Sequence, residues 1–140
     1  MDIMSEAHAA LNPRRIVPAH KADYQAVHNL RRVGEDRIMA ELTDLLEWTQ
    51  DGNWPVARGV GEVLAQHYPA IRPAVLSILR GPDAQWKYFL MGLVVMPVLQ
   101  ARPDEELLRE LRRIAQQPTP AEQHDEADRQ ARYVLGELGL

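Results

Sequence analysis

The sequence predicts an all-α protein, a short α-solenoid of HEAT-like type built from three helical hairpins behind a short N-terminal helix. Three observations carry that expectation. Apolar residues recur at helical spacing in six successive stretches, with no convincing run of period-two alternation. The breaks between stretches are short, and each supplies a glycine or a proline. Helix starts near Glu35, Pro69 and Pro103 stand thirty-four residues apart, the period of a two-helix repeat unit. At 140 residues the chain is one domain's worth.

Taken in order, residues 1–19 read as an N-terminal arm, broken by Asn12-Pro13 and Pro18, and residues 20–140 as the helical-repeat domain. Asp23 to Val33 suits a short helix with Tyr24, Val27 and Leu30 inward and Gly34 as a C-terminal glycine. Ile38, Leu42, Leu45, Leu46 and Thr49 form the first long stripe, and Val56, Val60, Val63, Leu64 and His67 the second. Ile71, Val75, Ile78 and Leu79 make the third. Trp86, Leu90, Leu93, Val94 and Pro97 make the fourth, on a helix apolar nearly all round and so expected at the centre. Pro97 should kink or end that helix. Leu107, Leu111, Ile114 and Ala115 form the fifth stripe, and Ala127, Ala131, Val134, Leu135 and Leu138 the sixth. The sixth lies on a polar terminal helix that opens with Glu122, Asp125, Glu126 and Asp128.

Composition excludes several functions. With no cysteine there is no thiolate zinc site, disulfide or cysteine nucleophile. Sixteen basic against twenty acidic residues leave a net charge of −4, the wrong sign for a general nucleic-acid or anionic-membrane binder. The longest apolar run, Tyr88 to Leu99, would span only about 18 Å as a helix, short of the roughly 30 Å of a bilayer core. Met1 to His8 carries acids and no apolar leader core, so a cytoplasmic location is expected.

No cofactor or metal is expected, and no catalytic residue is assigned. His124 and Asp128, four apart, offer only two ligands. Gly59-x-Gly61 lies inside a helix with no preceding strand, which fits close helix contact rather than a phosphate loop. The one conceivable acid–base grouping is His20, Asp23 and His28, which keeps an enzyme as an alternative.

The most informative constellation is a repeat, Asp51-Gly-Asn-Trp54 and Asp83-Ala-Gln-Trp86, with Asp-x-x-Trp at two helix starts. Architecturally, the acids would cap helices while the indoles pack on the preceding hairpin. Functionally, Asp51, Trp54, Asp83, Trp86 and Lys87 would form a ridge that binds a protein partner, since aromatic residues concentrate binding energy. The same stretches, Glu47-Trp48, Asp51-Gly-Asn-Trp54-Pro55-Val56-Ala57 and Trp86-Lys87-Tyr88, with Ile16-Val17-Pro18 and Lys21-x-Asp23 upstream, resemble bacterial domain-of-unknown-function family 5071 across roughly residues 16–138. The resemblance implies a HEAT-like helical fold and no activity. Among functions, a non-catalytic binding module is expected, most concretely a bacterial immunity protein that neutralises a cognate, basic toxin; a structural adaptor for another protein is the alternative.

Overall fold

The computed structural model describes residues 14–140, and the first thirteen residues of the expected arm lie outside them. Every element among the described residues is helical: α1 (Tyr24–Leu30), α2 (Glu35–Ala40), α3 (Leu42–Glu47), α4 (Ala57–Gln66), α5 (Tyr68–Arg80) and α6 (Ala84–Leu90). A π-helical turn (Met91–Val95) then joins α6 to α7 (Met96–Ala101), followed by α8 (Glu105–Gln116), α9 (Pro120–His124) and α10 (Ala127–Glu137). The all-α expectation therefore stands. No helix among the described residues is long and apolar enough to cross a membrane.

The helix starts follow from local chemistry. Asp23, Asp83 and Asp104 each accept a hydrogen bond from the backbone N–H three residues on, at 3.3, 3.0 and 3.0 Å. Thr119 and Glu122 form a reciprocal capping box at the start of α9. Gly34 does not end α1 in a left-handed conformation as expected. It stands in extended geometry (φ −79°, ψ 168°) as the N-cap of α2.

The apolar helix does lie centrally: α6, the π turn and α7 together pack against α4, α5 and α10. Leu90, Met91, Val94 and Val95 are fully buried there. Pro97 neither ends nor breaks the chain of helices. A proline lacks the N–H that would bond back four residues and crowds that carbonyl, and the π turn placed immediately before it absorbs the mismatch. The approach of α4 to this turn depends on Gly61, where a Cβ would sit 2.9 Å from the Leu93 carbonyl oxygen. Gly59 plays the matching part toward α1, a Cβ there lying 2.7 Å from Val27 Cγ1.

Three boundaries differ from expectation. Ile16 is fully buried and Pro18 is buried, so the core begins inside the stretch read as an arm. The stripe from Ile38 to Thr49 is two short helices, interrupted at Glu41 (φ −119°, ψ 20°). The terminal helix is likewise interrupted, by Glu126 in the left-handed region (φ 62°), so His124 and Asp128 lie on separate helices. Tyr24, expected inward, is 61% exposed, while Val27 and Leu30 are buried as their spacing requires.

Candidate functional site

The two Asp-x-x-Trp segments are not equivalent. Asp83 is a true N-cap, holding the backbone N–H of Trp86 within α6. Asp51 instead closes a small turn on itself, accepting from the Asn53 N–H at 2.8 Å, and α4 begins only at Ala57. Trp86 lies half-buried against the core and donates its indole N–H to the buried Thr49 hydroxyl at 2.8 Å. Trp54 is half-buried as well. Its contact is with Trp48, edge to face, the ring centroids 5.3 Å apart and the planes at 66°.

That tryptophan pair forms one wall of a cleft of about 390 Å³ lined by Lys21, Glu47, Trp48, Gln50 and Trp54. Each wall has a structural reason. Trp48 packs on the core at the end of α3, directly after Glu47. Pro55 and the turn at Asp51 to Asn53 bring Trp54 back over it, with the Trp54 N–H on the Asp51 carbonyl at 3.2 Å. Lys21, the lining residue farthest away in sequence, is placed by a long-range backbone bond, Val56 N–H to the Lys21 carbonyl at 3.0 Å. Of the five residues expected to bind a partner, this cleft takes Trp54 alone and sets Asp51 beside it. Trp48, Glu47 and Lys21 join it without having been in that set. A signal for Trp48 was present, since two tryptophans six apart bracket a turn-forming Asp-Gly-Asn.

The family model described as a domain of unknown function, DUF5071, matches residues 16–135. The chain belongs to this family. Among the described residues the match runs from the first fully buried one, Ile16, to the last buried one, Leu135, so the DUF5071 match spans the hydrophobic core described here. No curated protein matches the chain.

Lys87 is a correction to the expected ridge. It is 3% exposed and donates to the fully buried Glu122 at 2.8 Å. Arg113 adds two bonds to the same carboxylate, at 3.1 and 2.8 Å, and the Thr119 N–H a third at 2.8 Å. A charged network continues through Glu110 and Arg80 to Glu106, Arg72 and Asp104, where the Tyr68 hydroxyl donates to Asp104 at 2.8 Å. Burial alone would push the Glu122 carboxyl up, but Arg113, Lys87 and the Thr119 N–H outweigh it and hold it near 2. In the DUF5071 domain this lysine ties α6 to α9. It is not available to a partner.

The histidine grouping does not assemble either. Asp23 is buried with its carboxylate on Arg15 and the N–H groups of Ala19 and Ala26. His20 accepts from the Ala22 N–H at 3.3 Å, and His28 lies 3.4 Å from Arg32. His67, on the second apolar stripe, meets Glu35 at 3.1 Å. Among the described residues no group of three or more His, Asp or Glu is placed to hold a metal ion.

Proposed function

We propose that this chain is a non-catalytic protein-binding module whose contact surface centres on the Trp48–Trp54 cleft. The observation that carries the reading is Trp54 itself. It is a large, half-buried aromatic ring set edge to face against a second indole and bordering an open cleft, with the rest of its surface left for a partner. Tryptophans held in that way are the anchors that concentrate binding energy at interfaces. The helices are read here as a short HEAT-like solenoid, supported by the contacts of α4 with α5 and of α5 with α8. The most concrete form of the proposal is an immunity protein that neutralises a toxin in the cell that makes it. The net charge of −4 would favour association with a basic partner.

The test begins with a partner captured on the tagged chain from its native cell and purified. Affinity and melting temperature are then measured on the same variants. Trp54→Ala should weaken binding by about 2 kcal/mol or more per folded molecule, and should lower the melting temperature less than Trp86→Ala does. Trp86→Ala, which loses the bond to Thr49, should lower the melting temperature and leave affinity per folded molecule intact. If Trp54→Ala binds as tightly as the parent chain, the cleft is not the contact surface. For the immunity form, co-expression should rescue growth from the captured partner's toxicity.

A further inference from the structure

We infer that the Trp48–Trp54 cleft is built to receive an arginine side chain presented by the protein partner. The inference deepens the binding-module reading and rests on it. Two features of the cleft decide the occupant. The first is the wall of two indoles set edge to face, which offers a π surface inside a concave site. A guanidinium stacks on such a surface and sheds its water more readily than an ammonium does.

The second feature is charge. Asp44, Glu47 and Asp51 follow one another at three and four residues along α3 and the turn after it, with Glu47 lining the cleft. Of the acids on the helix before, Glu41 pairs with Arg37 and Glu35 meets the His67 ring, while Asp36 has no ion pair among the described residues. Among the described residues Asp44, Glu47 and Asp51 have no ion pair. Glu47 is therefore free to receive a guanidinium in the planar, two-bond geometry that arginine favours. One feature opposes the occupant. Lys21 lines the same cleft and adds a like charge to it. That opposition makes the inference sharper, because removing Lys21 should help an arginine and hinder an acid.

The three tryptophans provide the readout, each indole N–H giving one cross-peak in a nitrogen–proton correlation spectrum. The Trp86 indole, already bonded to buried Thr49, is the internal control. The probes are the blocked pentapeptide Gly-Gly-Arg-Gly-Gly and its counterparts with citrulline or glutamate at the centre. Citrulline keeps the shape of arginine and removes its charge. The arginine peptide should move the Trp54 and Trp48 cross-peaks and leave Trp86 in place, and the citrulline and glutamate peptides should move none of them. Glu47→Gln should weaken the arginine peptide by about threefold, and Lys21→Ala should tighten it by a similar factor, as exposed charge pairs do. Both positions are on the surface, and the backbone amide spectrum confirms that each variant is folded. Equal shifts from citrulline, larger shifts from glutamate, or no shift at the solubility limit of the arginine peptide would each overturn the inference. A captured partner whose affinity still falls on Trp54→Ala would, in that event, leave the cleft as the docking site and exclude arginine as its occupant.

Discussion

Lys87 and Glu122 show how much a single residue's environment matters here. Lys87 stands between two aromatic residues, Trp86 and Tyr88, and in sequence resembles part of a cationic, aromatic surface. In the fold it is one of the few buried charged groups, and its partner is fully buried as well. The two are not interchangeable. Truncating Glu122 strands the Lys87 ammonium in a dry site and removes the capping box of α9 at once. Truncating Lys87 leaves Glu122 with Arg113 and the Thr119 N–H. Glu122→Ala should therefore cost about 3 kcal/mol or more in chemical denaturation, and Lys87→Met clearly less, since an isosteric apolar replacement leaves no unpaired buried cation. Equal losses would show that Glu122 depends on Lys87 rather than on Arg113.

At the scale of elements, helix existence was legible and helix interruption was not. Breaks marked by Gly or Pro in the sequence fall where expected, at Gly81-Pro82-Asp83 and at Pro118-Thr119-Pro120. The breaks at Glu41 and Glu126 carry no such mark, because both residues are ordinary helix formers with no glycine or proline beside them. The site was legible to the same degree. Aromatic spacing pointed to Trp54, whereas the bond from Val56 to Lys21, which places Lys21 at the cleft, joins positions thirty-five apart and leaves no local trace. Glu126 gives the element-scale prediction. Its φ of 62° is unfavourable for a residue with a Cβ, and its only charged contact among the described residues is an exposed one to Arg129 at 3.4 Å. Glu126→Gly should thus stabilise the protein by up to about 1 kcal/mol, against the loss of similar size that glycine causes inside a helix. A denaturation midpoint that falls instead would mean that the left-handed turn is held open by contacts of the Glu126 side chain.

Across the whole molecule, the acid side of the stability profile follows from where the carboxylates sit. Glu122 is held near 2; Asp104 lies lower still, chiefly through its hydrogen bonds from Arg72. Glu106 is lowered by Arg80 and Arg72, and Asp23 is lowered because Arg15 and two backbone N–H groups outweigh its burial. In each case the folded carboxyl holds its proton less tightly than the unfolded one, whose value is 4.5 for Glu and 3.8 for Asp. As pH falls below those values the unfolded chain takes up protons first, so this share of stability is complete above about pH 5 and drains away toward pH 2. Asp23 and Asp104 cap α1 and α8, while Glu106 and Glu122 lie in the first turns of α8 and α9, so the loss falls on the starts of three helices together. Urea midpoints measured at pH 7, 4 and 3 should therefore drop steadily. Glu122→Gln removes one of the titrating groups. It should start from a lower midpoint at pH 7 and decline less steeply than the parent chain, the two curves converging at the acid end. Parallel curves would mean that the proton uptake lies elsewhere in the charged network and that Glu122 acts through its capping box alone.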